Sequence, residues 1–488
     1  MIGNVLIFEL IFVLLSAFAP VHSLSNLKIY LFMSKKGCNF APQTNHLINV
    51  RECMIRKKND IIGGYSPAFF EMQVMCSSNN FDLNTMSNVD LTICFHEYIH
   101  FLQDITTIYG LNNIYVYSEY LSGVLNRLYK QNKPSAFDVP YQINDNSDNV
   151  LLNRQIGKVT LGDSDVPSSV QTANIFDIMI DDYTLLPNPN LSNIKQVTLC
   201  LKTQNGEDEF YSFGALAIME NMAYLMERLS SPNDYINSPD YPYTVAEKVS
   251  DFYVNGFSKN SEMILALCDM CLMASNPGWI YVKVMQGIKN GDVHFNRPED
   301  IYDHFYSQTV QSVYNVERPF IKSFEQILTT TKAKMKAYIK DIPTITEDFY
   351  SWIDKLYSFA VDCRNKNKYY FLEMARAGEL KRNQIFINTI NQIGSPLMTR
   401  DNKSFYKIPH DRNSQRTDVE YFKAIGQIAS LFETGKKSCS LYEWCNNNPL
   451  NPTNMYCKNN PWKKCAENNM CFYALLWKHW NLIGYTPQ

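Results

Sequence analysis

Two histidines and a glutamate stand in an otherwise apolar stretch of the sequence, LTICFHEYIHFLQDITTIYG, which covers residues 91–110. His96 and His100 are four residues apart, so on a helix they would lie on one face, one turn from each other. Their ring nitrogens could then bind one zinc ion, which commonly takes imidazole ligands. Glu97 would lie beside the ion, where its carboxylate could take a proton from an attacking water. The spacing predicts a zinc-dependent hydrolytic site.

The flanking residues indicate that this site is buried. Apolar and aromatic side chains cover most of the helix circumference, at Phe95, Tyr98, Ile99, Phe101 and Leu102. Burying polar groups without partners costs several kcal/mol, a cost that a metal ion with its bound water would remove. The chain has eight histidines, so a pair of ordinary core histidines is a weaker explanation of the five-residue pattern.

The run HEYIH resembles the His-Glu-x-x-His signature of the zincin metallopeptidases, and the resemblance is strong over residues 91–104. It implies a zincin-like fold, peptide-bond hydrolysis, Zn²⁺ at His96 and His100, and Glu97 as the general base. The metzincin branch requires Gly and His where this chain has Gln103 and Thr106. The Gly-Thr-x-Asp run of the aspartate-ligand branch does not occur in the sequence. The resemblance is therefore to the gluzincins, whose third ligand is a glutamate on a later helix.

Two glutamates compete for the place of third ligand. Glu119 follows His100 by nineteen residues, close to the separation in thermolysin-like enzymes, although the residues that flank it differ. Glu220 lies in FGALAIMENMAYLMERL, a predicted helix of small and apolar residues in which a carboxylate needs a partner. The run ENMAYL also resembles the Glu-Gly-x-Ala-x-Tyr run that holds the zinc glutamate in several peptidase families, with Asn221 in place of Gly. We favour Glu220 over Glu119.

Two further side chains lie one helical turn from these candidates. Asp104 could accept the second ring N–H of His100, or could face solvent. Tyr224 lies one turn after Glu220 and could reach the site, although we favour a packing role for it.

The cysteines leave the redox compartment open. The total of thirteen is odd, and five cysteines crowd the last fifty residues, at positions 439, 445, 457, 465 and 471. Their spacings fit no zinc-finger template, so disulfides in an exported protein and a small metal site involving His479 are both open. Cys268 and Cys271 have redox spacing, but they lie in the apolar run LALCDMCLMA and are interpreted as structural.

Residues 1–23, MIGNVLIFELIFVLLSAFAPVHS, contain an apolar run of signal-peptide length. No Lys or Arg precedes the run, and Glu9 lies inside it, where a charge is unfavourable. The alternative is that residues 1–32 are a misassigned extension and that translation starts at Met33. We expect either secretion or membrane anchoring through residues 1–23, or a cytoplasmic protein beginning at Met33.

The elements around the site predict an α+β fold in which helices dominate. Ser87 and Asp90 would begin the metal-binding helix as a capping box, and Gly110 would end it as a left-handed stop. Strands are predicted at 60–63, 68–76, 156–161 and 193–203, and the longest predicted helix covers 245–275.

The chain has 488 residues, enough for several domains. We expect a zincin-like metal-binding domain with a small sheet at 33–230, a helical domain at 231–435 and a Cys-rich cap at 436–488. Substrate would lie between the first two, since ligand sites favour domain interfaces.

The net charge of −3 argues against a nucleic-acid partner, because such proteins carry a basic footprint. We expect a peptide or protein substrate, and the sequence does not indicate an oligomeric state. The alternatives to a metallopeptidase are a metal-binding interaction module without peptidase activity and a non-peptide amidohydrolase. Glu97 favours an enzyme, because metal binding alone needs only the histidines.

Overall fold

The computed structural model describes fifteen parts of the chain: residues 53–57, 60–75, 82–131, 134–143, 149–163, 170, 172–183, 194–311, 317–340, 342, 347–400, 403–407, 409, 419–446 and 453–488. The predicted signal or anchor segment lies outside them. The described residues form seventeen α-helices and twelve short strands, which confirms the prediction of a helix-dominated α+β protein at that level. No helix among the described residues combines the length and the apolar composition needed to cross a membrane.

The helices fall into two groups along the chain. The first group is α1 (Asn88–Thr106), α2 (Ile108–Tyr129), α3 (Asn149–Leu161), α4 (Ala215–Ser230), α5 (Asp240–Tyr243), α6 (Val245–Tyr253), α7 (Ser261–Leu272), α8 (Pro277–Asn290) and α9 (Pro298–Tyr306). The second group is α10 (Phe320–Ile339), α11 (Glu347–Asn365), α12 (Tyr370–Arg376), α13 (Gln384–Ile393), α14 (Glu420–Thr434), α15 (Tyr442–Asn446), α16 (Tyr456–Asn459) and α17 (Phe472–His479).

The strands form four small sheets. They are β1 (Cys53–Lys57), β2 (Asp60–Ser66), β3 (Glu71–Val74), β4 (Ala136–Phe137), β5 (Asn174–Tyr183), β6 (Ile194–Lys202), β7 (Asp208–Ser212), β8 (Thr309–Gln311), β9 (Glu317–Pro319), β10 (Leu397–Arg400), β11 (Lys403–Phe405) and β12 (Thr486–Pro487). The largest sheet has the order β1-β2-β3-β10-β11, and the others are β5-β6-β7, β8-β9 and β4-β12.

The five-stranded sheet lies against α1 and joins distant parts of the chain. β2 and β3 form an antiparallel pair that contacts α1. β10 runs parallel to β3, with Met398 opposite Met72, so the sheet connects the predicted metal-binding region to residues beyond 231. The predicted domain boundaries stay a prediction.

Helix α1 begins where the sequence predicts. The Ser87 side chain accepts a hydrogen bond from the Asp90 amide at 3.0 Å, which satisfies one orphan donor of the first turn. All residues from Asp90 to Thr106 are buried, because α2, α4, α11 and the five-stranded sheet pack around the helix. The metal-binding pattern therefore lies in the protein interior.

The predicted end of this helix at Gly110 is wrong. α1 ends at Thr106, and the Thr107 hydroxyl accepts a hydrogen bond from the Gly110 amide at 3.0 Å, in the first turn of α2. A Cβ at position 110 would lie 2.4 Å from the Asp104 Cα. Glycine is required there because the two helix ends approach closely, and not because the chain turns left-handed.

Two other predicted elements are also corrected. Residues 156–161, predicted as a strand, belong to α3, since a short apolar run does not distinguish a strand from a helix. The predicted helix over 245–275 is broken into α6, a 3₁₀ turn and α7. Gly256 adopts a left-handed φ of 78° at the break, and Asn260 then caps α7. The strand predicted at 193–203 is confirmed as β6.

A buried ion pair ties the end of α1 to the C-terminal helices. The Arg364 guanidinium, on α11, donates to both carboxylate oxygens of Asp269, on α7, at 2.8 and 3.0 Å. Its Nε donates to the Thr106 carbonyl at 2.7 Å. Both side chains of the pair are 0% exposed. A cation therefore lies at the negative end of the α1 dipole, where it stabilises the helix.

Candidate metal centre

Helices α1 and α4 bring two imidazoles and a carboxylate together. Nε2 of His96 lies 3.2 Å from Oε2 of Glu220, and Nε2 of His100 lies 3.5 Å from the same oxygen. The three residues each offer a ligand atom, and these atoms lie within 4.8 Å of one another. This buried group could hold a metal ion.

The electrostatics of the group suit a cation. Burial alone would lower the pKa of His96, but hydrogen bonds with Glu220 and Glu227 and the charge of Glu97 raise it to about 10. Burial alone would raise the pKa of Glu220. The positive charges of His100 and His96 and their hydrogen bonds to Glu220 instead lower it to about 2. Carboxylates that stabilise a proton on His96 would also stabilise a divalent ion in its place.

The donor set suits a metal ion on a second ground. Nε2 of His100 is fully buried and lies 3.5 Å from Oε2 of Glu220, at the limit of a hydrogen bond. A buried polar atom of this kind is costly unless a partner binds it, and a metal ion is such a partner. Two histidines and one glutamate are also the protein ligands of catalytic zinc sites that keep a position for water.

Glu227 orients the ring of His96. Its Oε2 lies 3.1 Å from Nδ1 of His96, while its Oε1 accepts the Ile236 amide at 2.7 Å. Glu227 was not predicted. It follows Glu220 by seven residues, two helical turns, so both lie on the same face of α4. That spacing is the sequence signal that could have identified it.

Gln103 orients the ring of His100, which was one of the two roles predicted for Asp104. The Gln103 amide donates to the Met219 carbonyl at 3.1 Å, which turns its own carbonyl oxygen toward Nδ1 of His100, at 2.8 Å. The Gln103 carbonyl therefore accepts a hydrogen bond from Nδ1 of His100, which leaves Nε2 directed toward Glu220.

Asp104 instead holds the chain after β2. Its Oδ2 accepts hydrogen bonds from the Tyr65 hydroxyl at 2.9 Å and the Ala68 amide at 2.8 Å. Burial raises the pKa of Asp104 to about 7, although both hydrogen bonds act in the opposite direction. The alternative that Asp104 faces solvent is also wrong, since this residue is 0% exposed.

Glu97 lies beside the group, against the backbone of β2. A Cβ at Gly63 would lie 2.5 Å from Oε1 of Glu97, so the missing side chain at this position makes room for the carboxylate. The charge of Glu97 also contributes to the raised pKa of His96. The structure thus places a carboxylate next to the candidate ligands without including it among them.

Glu119, the competing third ligand, lies elsewhere. It forms an ion pair with Lys334 on α10. Tyr224 packs, as favoured: its ring contacts those of Tyr235 and Tyr243, and the Arg228 guanidinium lies over it. Of the two glutamates, the structure brings only Glu220 to the histidines.

The site is closed off from solvent. The exposed fraction is at most 1% for His96, Glu97, His100 and Glu220. The Tyr243 ring lies 6.2 Å from the His96 ring, and the Tyr65 ring stacks on the His100 ring at 6.4 Å between centroids. Two tyrosines therefore form part of the cover of the site.

Glu220→Ala should weaken zinc binding far more than Glu119→Ala. The first change removes a candidate ligand and opens a coordination position, whereas the second removes the partner of Lys334. Zinc affinity can be measured for both variants by competition with a chromogenic ligand. The reverse ranking would transfer the third-ligand role to Glu119.

Glu227→Gln should lower metal affinity by about 10–100-fold, the usual effect of removing a partner that orients a ligating histidine. Gln can still accept the Ile236 amide, so the local fold should persist while the charge beside His96 disappears. The same competition assay, with circular dichroism as the check on folding, measures the effect. Unchanged affinity would show that Glu227 serves only to hold Ile236.

Comparison of the chain with protein-family models, curated protein sequences and solved structures finds no match. A functional assignment therefore depends on the geometry and chemistry of the site.

Proposed function

We propose that the protein is a zinc-dependent hydrolase, a metallopeptidase of the gluzincin type. The observation that supports this most directly is the buried group of His96, His100 and Glu220, whose ligand atoms lie within 4.8 Å of one another. These residues would hold Zn²⁺, and a peptide or protein would be the substrate.

A zinc ion held by these residues would lower the pKa of a bound water and polarise the scissile carbonyl. Glu97 would accept the proton of the attacking water and deliver it to the leaving amine. The space that Gly63 leaves for this carboxylate, next to His96, supports the proposed role. Gln103 and Glu227 would keep both imidazole rings in the orientation that directs Nε2 toward Glu220.

The closure of the site favours one other candidate function, a metal-binding interaction module without peptidase activity. The candidate ligands are at most 1% exposed, and a substrate could reach them only if the cover opened. A peptidase therefore needs an open state, whereas an interaction module does not.

The proposed function is tested by comparing the wild type with a variant that carries both His96→Ala and His100→Ala. The double variant should lose about one zinc ion per chain and all hydrolysis of a mixed peptide pool, because two ligands are gone. Elemental analysis and mass spectrometry of the peptides provide the two measurements.

Glu119→Ala is the matched control, since it removes a partly buried charge that is paired with Lys334 and should leave both quantities unchanged. Equal zinc in the wild type and the double variant would overturn the metal site. If the double variant loses zinc but the wild type cleaves no peptide, the interaction module would be favoured.

A further inference from the structure

The three-stranded sheet β5-β6-β7 has one face in the protein interior and one face on the surface. Alternate residues of the central strand β6 are at most 2% exposed, namely Val197, Leu199 and Leu201. Neighbouring residues of a strand point to opposite faces of its sheet. Asp177, Met179 and Asp181 of β5 pair with the intervening residues of β6, so they lie on the other face. All three are exposed.

Aromatic side chains extend this exposed face. Phe210 of β7 pairs with Cys200 of β6, which in turn pairs with Asp177, so Phe210 and Asp177 belong to one cross-strand row. Phe210 is 51% exposed. Tyr183 continues the alternation along β5 and is 42% exposed. We call this surface the acidic face, and it consists of Asp177, Met179, Asp181, Tyr183 and Phe210.

The two carboxylates of the acidic face have no cationic partner among the described residues. Asp177 instead accepts a hydrogen bond from the Ile178 amide at 2.9 Å. The lysines of β6 bind other aspartates, in the pairs Lys195–Asp182 and Lys202–Asp208. The acidic face therefore suits a partner that carries positive charge beside apolar groups.

The C-terminal cap, which we take as the described residues from 436 onward, carries the opposite charge. Residues 436–488 contain six lysines and two glutamates, although the whole chain has a net charge of −3. The Lys458 ammonium group lies 4.9 Å from the centroid of the Tyr442 ring, and that of Lys463 lies 6.0 Å from the centroid of the Tyr456 ring. Met455, next to Tyr456, is 81% exposed. We call the surface of these five residues the basic face.

The lysines of the basic face can still bind a carboxylate. Lys458 and Lys463 are exposed and form no ion pair among the described residues. Of the two glutamates of the cap, Glu467 lies 3.9 Å from Lys464, and Glu443 is exposed. An ammonium group over a tyrosine ring is held in place by the ring and keeps donors for a second partner.

We propose that copies of this chain associate head to tail, with the acidic face of one copy against the basic face of the next. Both faces combine exposed aromatic and thioether groups with charges, and the charges are of opposite sign. The faces lie on different parts of the molecule, since the sheet contacts α3, α6 and α8 while the cap packs on α14 through α17. Occupying one face therefore leaves the other available to a further copy, as in heterologous assembly.

A symmetric dimer through the outer edge of β5 fits the charges less well. Within the described residues, β5 pairs only with β6. Pairing two β5 strands across a two-fold axis would bring Asp177 and Asp181 of one copy next to those of the other. Like charges on paired strands are destabilising, whereas the basic face supplies cations.

Sedimentation velocity of the wild type over a range of concentrations measures the association without any variant. At about 0.1 M salt the mean mass should rise with concentration. At about 1 M salt it should return to the mass of one chain, because the Debye length falls from about 10 Å to about 3 Å. A single-chain mass at every concentration in low salt would overturn the proposal.

Charge reversal tests the two faces separately. One variant carries Asp177→Lys and Asp181→Lys, and a second carries Lys458→Glu and Lys463→Glu. Each should associate at least about tenfold more weakly than the wild type, with folding checked by circular dichroism. Glu379→Lys is the control, because it reverses a charge that is 76% exposed and belongs to neither face. Weaker association in only one of the two variants would contradict the head-to-tail contact.

A chain that carries all four substitutions should recover salt-sensitive association, because its two faces are again of opposite charge. This recovery does not depend on which aspartate meets which lysine, and its absence would show that the two faces do not meet. Vesicles of phosphatidylserine and phosphatidylcholine test the other occupant of the basic face. A wild type that stays monomeric but binds these vesicles through Lys458 and Lys463 would assign that face to a lipid surface and overturn the proposal.

Discussion

Replacing Glu97 with Gln is expected to reduce hydrolysis by about 10²–10⁴-fold, the contribution of general-base catalysis, while zinc content stays at the wild-type value. Gln has nearly the volume of Glu and fits the space beside Gly63, but its amide cannot take a proton from water. The measurement is kcat on a peptide selected with the wild type, with elemental analysis of the same preparations.

Glu119→Gln is the control for this comparison, because the same chemical change is made at a carboxylate that is paired with Lys334. Full activity of Glu97→Gln would show that this residue does not activate water. If a protein partner binds the wild type and Glu97→Gln equally and no peptide is cleaved, the interaction module becomes the better description.

Asp269→Ala is expected to lower the free energy of unfolding by about 3–5 kcal/mol, the usual cost of leaving one charge of a buried ion pair without its partner. Arg364 would stay fully buried and would keep its hydrogen bonds to Thr106 and its position over the Phe371 ring. Urea denaturation followed by circular dichroism measures the change.

Glu262→Ala provides the matched control, since Glu262 forms an ion pair with Arg376 on the surface. The Glu262 and Arg376 side chains are 34% and 39% exposed. Exposed pairs contribute about 0.2–1 kcal/mol. Equal destabilisation by Asp269→Ala and Glu262→Ala would mean that the buried pair does not hold α1 to α7 and α11.

Local spacing was sufficient to predict the parts of the site that lie on one helix. His96 and His100 share a face of α1 because of helical periodicity. Ser87 caps the start of that helix through a hydrogen bond with the amide of Asp90, only three residues away. Glu220 was favoured because a carboxylate on an apolar helix needs a partner, and the structure brings it to both histidines. Its role as a zinc ligand stays a prediction.

The residues that orient the site were missed because their roles depend on contacts between distant segments. Glu227 reaches His96 only because α4 crosses α1, and Asp104 is turned away from His100 by Tyr65 and Ala68. The parallel pairing of β10 with β3 joins residues more than 300 positions apart, for which a single sequence contains no local signal. The short apolar run in α3 fitted both a strand and a helix.

The closure of the site also determines how its ion would be exchanged. Because the ligand residues are at most 1% exposed, an ion could leave only when the fold opens locally. Chelators added to the folded protein would then remove zinc at the rate of that opening, whatever their concentration. An ion with such a slow exit is best acquired during folding, so that its binding free energy becomes part of the folding free energy. Metal supply at the time of synthesis would then set the fraction of active molecules.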